Sequence, residues 1–318
     1  MRVLAIDDEP TFCELLQTRL AQLGITDVET AFTGQQALEK ASATDTPFDC
    51  FLVDIRMIPM DGIEVVRGIR AIPHHMSTPI IMISSLTDKA SIDAAFMAGA
   101  NDYITKPLDT VELKIRLEMA NSILEERAQT RLLHDHLLDH EAAMYAPMNF
   151  EDEVILEDIQ SSISMMSMEN FLLKQGNIRL RQSCAIGFHM RNAESYFRMM
   201  DPTYYAVLMG EISLAVSRTL DFCPHMLVCP GKGDIVALLL DHPNPDAPTL
   251  ARNFQEELTK LRLRLATIDM TLPTVRMGSP AHVSLWRMQC PTALISRARN
   301  AADKPAQYND DAFVRDTA

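Results

Sequence analysis

Short apolar runs alternate with amphipathic segments throughout residues 1–122. Three of the runs are apolar without alternation, which is typical of strands covered by helices on both faces. Between the runs, apolar residues recur at intervals of three and four, the spacing of an amphipathic helix. The pattern predicts strands at residues 2–6, 27–31, 50–54, 79–84 and 102–105, and helices at 11–24, 34–41, 63–72, 88–100 and from 109 onwards. This alternation indicates an α/β domain with a five-stranded, doubly wound parallel sheet.

The fifth predicted helix continues past the end of this domain. It begins at Asp109 with Glu112 three residues later, the arrangement of a capping box, and neither proline nor glycine interrupts residues 108–146. Apolar side chains recur along it at intervals of three and four: Leu113, Leu117, Ala120, Leu124, Ala128 and Leu132. An ordinary helix packed on its own domain is one interpretation. We favour a long connecting helix over 109–146 that pairs with a second copy, and therefore a homodimer.

A second group of predicted elements covers residues 150–305. Strands are predicted at 184–190, 225–229, 234–240 and 274–279, and helices at 203–220, 249–265 and 292–302. The second and third of these strands are separated only by PGKG, which is a hairpin signal. The order β-α-β-β-α-β is that of a ferredoxin-like α+β palm. The last residues, 306–318, are polar and predict a frayed tail.

Composition narrows the class of protein. A length of 318 residues predicts two domains. The net charge of −14 argues against an output domain that binds DNA, because a phosphate backbone attracts a basic surface. No apolar stretch approaches the ~20 residues of a membrane span, and MRVLAIDDEP has two acids where a signal peptide has its apolar centre. Six scattered cysteines without a CxxC pair are typical of a reducing compartment. We therefore expect a cytoplasmic protein without membrane insertion.

Polar and charged side chains follow four of the five predicted strands. Asp7 and Asp8 come after the first, Asp54 ends the third, Ser84 ends the fourth and Lys106 follows the fifth. The carboxyl ends of parallel strands meet at one edge of the sheet, so these residues should gather there. Three clustered carboxylates repel one another unless a cation lies among them, and Mg²⁺ prefers oxygen ligands. Such a site could hold a phosphoryl group on a carboxylate, with the metal and the lysine neutralising its oxygens. A single acid after a strand is usually a cap or turn residue, but that reading does not explain the whole set.

These residues lie in motifs that resemble the receiver domain of two-component response regulators, a flavodoxin-like fold, over residues 1–122. The motifs are IDDEP with the acidic pair, DIRMIPMDG from Asp54, Ser84, and YITKP with Tyr103 and Lys106. The resemblance implies that Asp54 accepts a phosphoryl group from a histidine kinase or a phosphotransfer protein. It also implies a Mg²⁺ site made by Asp8, Asp54 and the backbone carbonyl of Arg56, with Asp7 contributing through water.

The resemblance further implies that residues of the last two strands transmit the modification. Ser84 would move to the new phosphoryl oxygen beside Lys106, and Tyr103 would rotate inward, which alters the face formed by the fourth helix, fifth strand and fifth helix. Two features depart from the family pattern. Ile58 stands where proline usually follows the methionine, with Pro59 next, and serine replaces the commoner threonine. Neither departure removes a charge, so we expect phosphorylation to occur.

The predicted hairpin of the second region carries a resemblance of its own. The stretch CPGKGDIVALLL, residues 229–240, resembles the metal-binding hairpin of nucleotide cyclases, of class III or of the GGDEF diguanylate type. The resemblance implies that Gly233 and Asp234 are the remnant of a two-metal site. The first strand of the region has His189, Met190 and Arg191 where the family has aspartate, and one acid cannot hold two Mg²⁺ ions. We therefore expect a cyclase-like domain without catalysis, in which Asp234 is a hairpin-turn residue.

Together these features predict a response regulator in which phosphorylated Asp54 acts on an output domain through the connecting helix. The output domain would bind a protein or a nucleotide of unknown identity. No enzymatic activity is expected beyond self-catalysed aspartyl phosphorylation and dephosphorylation. The alternative is an active nucleotidyl or diguanylate cyclase that phosphorylation regulates, with metal ligands drawn from elsewhere in the chain.

Overall fold

The computed structural model describes residues 1–43, 46–85, 89–121, 148–154, 156, 159, 161–175, 177–266, 272–283 and 290–303. The chain divides into two compact units, residues 1–147 and 148–318. Within the described part of the chain, no helix combines the length and the hydropathy of a membrane span.

The first unit is built around a parallel sheet. Its strands are β1 (Arg2–Ile6), β2 (Asp27–Ala31), β3 (Cys50–Asp54), β4 (Ile80–Ser84) and β5 (Asp102–Thr105). Its helices are α1 (Pro10–Gln22), α2 (Gly34–Ala43), α3 (Gly62–Arg70), α4 (Lys89–Met97) and α5, described over residues 110–121, with a 3₁₀ turn at Pro73–His75. The strand order is β2-β1-β3-β4-β5, and every neighbouring pair is parallel. The predicted five-stranded parallel sheet is confirmed, with β4 starting one residue later than expected.

Alternate residues of the central strands enter cores on opposite faces of this sheet. Leu52 packs in the core that contains residues of α1 and α5, whereas Phe51 and Val53 pack in the core that contains α2, α3 and α4. β3 and β4 are buried along their whole length. Helices therefore cover both faces, which explains why these strands lack alternation.

The apolar stripe of α5 packs inside the first unit over its described part. Three of its residues are at most 3% exposed, namely Leu113, Leu117 and Ala120. Asp109 caps the start of the helix, as predicted, and its carboxylate accepts hydrogen bonds from two backbone N–H groups of the first turn, at 2.7 and 3.0 Å. These three side chains are therefore not available to a second helix. The rest of the stripe, Leu124, Ala128 and Leu132, lies outside the described residues, and the connecting helix over 109–146 stays a prediction.

The second unit is built around an antiparallel sheet. Its strands are β6 (Cys184–Met190), β7 (His225–Val228), β8 (Asp234–Leu239) and β9 (Val275–Met277), in the order β7-β8-β6-β9, and every neighbouring pair is antiparallel. Its helices are α6 (Met165–Lys174), α7 (Asn177–Arg181), α8 (Ala193–Met199), α9 (Pro202–Thr219), α10 (Ala247–Ala266) and α11 (Ala293–Asp303). The predicted strands and the three longest of these helices are present within two residues of their expected ends. The sequence pattern missed α6, α7 and α8.

Helices cover both faces of this second sheet as well. Ile186 and Phe188 of β6 pack in a core with α9 and α10, where the rings of Phe188 and Phe254 lie 4.8 Å apart. Gly187 points to the opposite face, where a Cβ would stand well under 3.0 Å from the backbone oxygen of Ala298. Glycine at this position therefore lets α11 lie directly against β6.

Candidate functional site

Three charged side chains form one ion-paired group at the carboxyl edge of the first sheet. The Nζ atom of Lys106 lies 2.8 Å from Oδ2 of Asp7 and 2.8 Å from Oδ1 of Asp54. Asp7 follows β1, Asp54 ends β3 and Lys106 follows β5, so the parallel order brings together residues that are distant in the chain. Both acids are buried, with 2% and 5% of their surface exposed. The structure thus places three of the predicted site residues in direct contact.

The loops after β1 and β3 hold the second oxygen of each carboxylate. Oδ1 of Asp7 accepts a hydrogen bond from the backbone N–H of Glu9 at 2.9 Å. Oδ2 of Asp54 accepts one from the backbone N–H of Arg56 at 2.6 Å. Each acid is therefore fixed twice, by its own loop and by the shared ammonium group. Groups held in this way need little reorganisation when charge develops beside them.

Burial and ion pairing act in opposite directions on the protonation of this group. Burial raises the pKa of Asp54, and the hydrogen bond and charge of Lys106 oppose the rise. Burial alone would lower the pKa of Lys106, but hydrogen bonds to Asp54 and Asp7, together with their charges, raise it above its ordinary value. Lys106 is therefore an ammonium ion at neutral pH, and two acids share one cation.

The two predicted switch residues lie on the neighbouring strands. Ser84 ends β4 and is buried, and its backbone oxygen accepts a hydrogen bond from the backbone N–H of Lys106 at 2.8 Å. Tyr103 lies in β5 and is half-buried. Its ring meets the ring of Phe96 in α4 edge-on, with centroids 6.3 Å apart. Ser84 therefore connects to the charged group through the backbone, and Tyr103 connects β5 to α4.

The expected cluster of three carboxylates is not formed. Asp8 is exposed, unlike Asp7, and among the described residues no three histidine, cysteine or carboxylate side chains are grouped as metal ligands. Lys106 pairs with the two buried acids, whereas the side chain of Asp8 lies at the surface. The side chain of Arg56 is exposed, and this residue reaches the group through its backbone.

Asp61, the second acid of the DIRMIPMDG motif, lies outside the ion-paired group. Its carboxylate accepts a hydrogen bond from the backbone N–H of Glu64 at 2.8 Å, and the carboxylate of Glu64 accepts one from the backbone N–H of Asp61 at 3.1 Å. This reciprocal pair is a capping box at the start of α3. The two acids of the motif therefore have different roles: Asp54 belongs to the ion-paired group and Asp61 caps helix α3.

Phe12 belongs to the site although no motif predicts it. Its ring, in the first turn of α1, lies against the ammonium group of Lys106, with Nζ 3.8 Å from the ring centroid. The hydrophobic pattern places Phe12 on the apolar stripe of α1. A ring that contacts a cation and a ring in an apolar core give the same signal in such a pattern.

In the second unit, Asp234 is held by two basic side chains. Its Oδ1 lies 2.7 Å from Nδ1 of His189, its cross-strand partner in β6. Its Oδ2 accepts hydrogen bonds from Nε and Nη2 of Arg299 in α11, both at 2.7 Å. Asp234 is the first residue of β8, and its backbone N–H donates to the backbone oxygen of Gly231 at 3.1 Å, so it closes the predicted hairpin turn. Gly233, with φ of +75°, takes the turn position that L side chains avoid. The carboxylate is therefore part of an ion-pair network between strand and helix.

The first unit matches known proteins over most of its length. The model of the response regulator receiver domain family matches residues 3–118. The chain is 37% identical over 120 residues to chemotaxis protein CheY1 of Helicobacter pylori (strain J99 / ATCC 700824), a match that covers 37% of this chain and 95% of CheY1. It is 34% identical over 113 residues to the signal transduction histidine-protein kinase BarA of Escherichia coli (strain K12), covering 36% of this chain and 12% of BarA.

Solved structures of receiver domains match the same region. Vibrio cholerae chemotaxis protein CheY4 is 30% identical, with a TM-score of 0.35, over 37% of this chain and 97% of its own. The receiver domain of sensor histidine kinase PA1611 from Pseudomonas aeruginosa, described with a magnesium ion coordinated in the active site cleft, is 28% identical, with a TM-score of 0.35, over 38% of this chain and 97% of its own. The five-stranded parallel sheet, the ion-paired group at its carboxyl edge and the matching relatives together identify a phospho-receiver domain of two-component signalling. The chain belongs to the response regulator receiver family through residues 3–118, and the second unit lies outside that match.

Proposed function

We propose that Asp54 is the phosphoryl acceptor of the first unit, with a histidine kinase or a phosphotransfer protein as donor. One observation carries the proposal: the ammonium group of Lys106 lies 2.8 Å from carboxylate oxygens of both Asp7 and Asp54. A fixed cation beside a carboxylate stabilises the negative charge that arrives with a phosphoryl group. Asp54 is the acid that opens the DIRMIPMDG motif, and its raised pKa indicates a desolvated carboxylate.

The transfer is a displacement at phosphorus. A carboxylate oxygen of Asp54 attacks, the new O–P bond forms, and the P–N bond of the donor phosphohistidine breaks. The imidazole leaves with the bonding electron pair and takes its proton from solvent. Lys106 keeps its proton throughout and redirects one hydrogen bond from Asp54 to a phosphoryl oxygen. The backbone N–H of Arg56 continues to donate to the second oxygen of Asp54. The protein supplies position and charge, which is the main contribution to phosphoryl transfer.

Mg²⁺ fits this group because its carboxylate and carbonyl donors are all oxygen atoms. Asp8, Asp54 and the backbone carbonyl of Arg56 would hold the ion, with Asp7 acting through water. Few carboxylates suffice, since Mg²⁺ usually keeps several waters and binds through one or two carboxylates plus phosphate oxygens. When bound, the ion neutralises the transferring oxygens.

The acceptor assignment is tested by phosphorylation of the whole chain with acetyl phosphate and Mg²⁺, followed by intact-mass analysis. One added phosphoryl group is expected in the wild type and none in Asp54→Ala. The matched control is Asp61→Ala, which removes an acid of the same motif that caps α3 and should keep full uptake. Undiminished uptake in Asp54→Ala would contradict the assignment.

Phosphorylation would be transmitted through Ser84 and Tyr103. A phosphoryl oxygen on Asp54 attracts the Ser84 hydroxyl, and the space that this movement frees admits the ring of Tyr103. Because Tyr103 contacts Phe96 of α4, its rotation changes the surface made by α4, β5 and α5. Replacing Tyr103 by Ala should leave phosphoryl uptake intact and remove the amide chemical-shift changes that phosphorylation causes in α4.

For the second unit we propose a ferredoxin-like palm that has no cyclase activity and binds a protein or a nucleotide. The antiparallel order β7-β8-β6-β9, with α9 and α10 packed on one face, supports the palm. The pairing of Asp234 with His189 and Arg299 supports the absence of catalysis, because both carboxylate oxygens are already engaged by basic side chains and are poor ligands for two metal ions.

A turnover assay distinguishes this binding role from the alternative, an active nucleotidyl or diguanylate cyclase. Phosphorylated protein is incubated with ATP or GTP and Mg²⁺ or Mn²⁺, and the products are resolved by mass. No cyclic nucleotide is expected. Cyclic product that disappears in Asp234→Ala would contradict the binding role and establish the enzyme. The matched control is Glu211→Ala, which removes an exposed ion pair on α9 and should not change either result.

A further inference from the structure

Phe12 contacts Lys106, the cation that Asp7 and Asp54 share. Its ring centroid lies 3.8 Å from Nζ of Lys106, the same atom that lies 2.8 Å from Asp7 and 2.8 Å from Asp54. The ammonium group therefore has three neighbours of complementary charge: two carboxylates and the negative face of an aromatic ring. The Lys106 side chain is 19% exposed, so little of it remains for water.

The loop that fixes Asp7 also fixes Phe12. Oδ1 of Asp7 accepts from the backbone N–H of Glu9, and the backbone oxygen of Glu9 accepts from the backbone N–H of Phe12 at 3.0 Å. Helix α1 begins at Pro10, directly after Glu9. Proline suits this first helical position because its φ angle is fixed and it has no backbone N–H. Asp7 and the ring are thus positioned by one short, hydrogen-bonded turn.

An aromatic face suits a cation that must change partners. An ammonium ion has three N–H donors; here it pairs with two carboxylates, one of which changes its charge when Asp54 becomes an acyl phosphate. A hydrogen bond weakens steeply when it bends, whereas attraction to the ring quadrupole depends mainly on distance to the face. Lys106 can therefore turn from Asp54 to a phosphoryl oxygen without leaving Phe12.

We propose that Phe12 is a positioning residue for phosphoryl transfer, which holds the Lys106 ammonium between Asp7 and Asp54 and keeps it there as the phosphoryl group arrives. The inference rests on the proposed function of Asp54. With acetyl phosphate as donor, the O–P bond to Asp54 forms, the P–O bond to the acetyl group breaks, and acetate leaves with the electron pair, so no proton is transferred. Phe12 makes no bond in this step and acts through Lys106.

The test compares Phe12→Leu, Phe12→Tyr and Phe12→Trp in the whole chain, by the rate of phosphoryl uptake at saturating acetyl phosphate. Leu keeps an apolar side chain without a quadrupole and should slow uptake by about fivefold, whereas Tyr and Trp should stay within about twofold of the wild type. The matched control is Leu15→Ala, an exposed apolar residue on the same helix, which should not change the rate. A wild-type rate in Phe12→Leu, or equal rates in Phe12→Leu and Phe12→Trp, would overturn the inference.

A second measurement does not depend on phosphorylation. A ring 3.8 Å from Nζ should move the NMR signals of the Lys106 side-chain methylene protons upfield, and Phe12→Leu should return them to ordinary lysine positions, with Phe12→Trp keeping the shift. Unshifted signals in the wild type would overturn the inference whatever the uptake assay gives. Failure of wild-type uptake with shifted Lys106 signals would instead remove the proposed function of Asp54 and with it the role of Phe12 in transfer.

Discussion

Gly62, the first residue of α3, lies so close to the backbone oxygen of Asp54 that a Cβ on the glycine would overlap it, at well under 3.0 Å. The backbone N–H of Gly62 donates to the backbone oxygen of Ile55 at 2.9 Å. Helix α3 therefore starts directly against the end of β3. The glycine of the DIRMIPMDG motif is required by this close approach, next to the acid that the proposed chemistry uses.

Gly62→Ala should disturb both stability and phosphorylation. The added methyl group must push α3 away from β3, and overpacking of this kind costs about 1–3 kcal/mol in free energy of unfolding. The same movement displaces Asp54, so phosphoryl uptake should slow. Hydrogen exchange of α3 and β3 amides and intact-mass kinetics check the two effects. Gly210→Ala in α9, where a Cβ would meet nothing within 4 Å, is the control and should be neutral or stabilising. Wild-type protection in Gly62→Ala would refute the packing argument.

The edge of the first sheet could be predicted because strand ends are marked by a change of residue type. The apolar run of β3 stops at Asp54, and the parallel order alone places it beside the residues that follow β1 and β5. Which cation neutralises the buried acids could not be predicted. Charge counting permits a metal, a lysine or both, and only the distances from Lys106 to both carboxylates show that the lysine pairs with each of them.

The hydrophobic pattern of the sequence could not predict contacts between elements that are far apart in the chain. Arg299 lies 65 positions from Asp234, and no periodicity relates a residue of α11 to one of β8.

The packing partner of the apolar stripe of α5 could not be predicted either. A helix packed on its own sheet and a helix packed on a second copy bury apolar residues at the same spacing, so the burial of Leu113 and Leu117 in their own unit could not be read from the sequence.

Lys106→Met should remove phosphoryl uptake and destabilise the first unit. The substitution keeps an unbranched side chain but leaves Asp7 and Asp54 as two buried like charges, and the loss of one partner from a buried ion pair costs roughly 3 kcal/mol. Adding Asp54→Asn to this variant removes one charge and should restore part of the stability without restoring uptake. Thermal unfolding and mass analysis report the two properties. Lys114→Met, on the exposed face of α5, is the control. Equal stability of Lys106→Met and wild type would show that the acids do not depend on the lysine.

His75 should make the first unit sensitive to acid. The side chain is completely buried beside Phe48 and Phe51, and its Nε2 has no hydrogen-bond partner among the described residues. Burial, assisted by the charges of His74 and Arg70, lowers its pKa from 6.5 to about 4. The folded state therefore resists a proton that the unfolded chain accepts, so stability is complete above pH 6.5 and is lost as the pH falls towards 4.

The expected loss from this histidine between pH 7 and pH 5 is about 2 kcal/mol. Urea unfolding of the first unit, followed by hydrogen exchange of its strands, should show this loss in the wild type beyond that of His75→Phe. Phenylalanine fits the aromatic surroundings and does not titrate. His74→Gln, an exposed neighbour, should retain most of the pH dependence. Parallel pH profiles for wild type and His75→Phe would show that His75 is protonated in the folded protein.

The second unit should respond to pH in the opposite direction. The hydrogen bond that His189 donates to Asp234 raises the pKa of His189, although burial opposes it, and the charge of Asp234 adds to the rise. A folded pKa above the ordinary 6.5 means that the contribution is complete below that pH and is lost as the pH rises through the folded value. His189→Gln keeps a donor for Asp234 but does not titrate, so its stability should be flatter above pH 6.5. Hydrogen exchange of β6 and β8 at pH 6 and 8 measures the difference, and an unchanged profile in His189→Gln would exclude the ion pair.

Asp234→Asn should destabilise the same unit at every pH where Arg299 is charged. The amide cannot neutralise the guanidinium, and a hydrogen bond between charged groups is worth about 2 kcal/mol. Thermal unfolding of the second unit checks the loss. Glu211→Gln, which breaks an exposed ion pair with Arg264, should cost under about 1 kcal/mol. Stabilisation of Asp234→Asn would instead indicate that the carboxylate is held under strain, as an acid retained for binding would be.

Self-association should depend on a second apolar stripe of α5, on the face opposite its buried residues. Val111, Ile115 and Met119 recur every four residues and are 66%, 48% and 39% exposed, so they line one side of the helix. If the chain forms a homodimer through α5, burying a charge in this stripe must weaken it. Ile115→Lys should raise the dimer dissociation constant by at least about tenfold, because an unpaired ammonium costs more than 1.4 kcal/mol on burial. Ile115→Leu keeps the apolar surface and should sediment like the wild type. A dimer that persists unchanged in Ile115→Lys would place the pairing surface elsewhere in the chain.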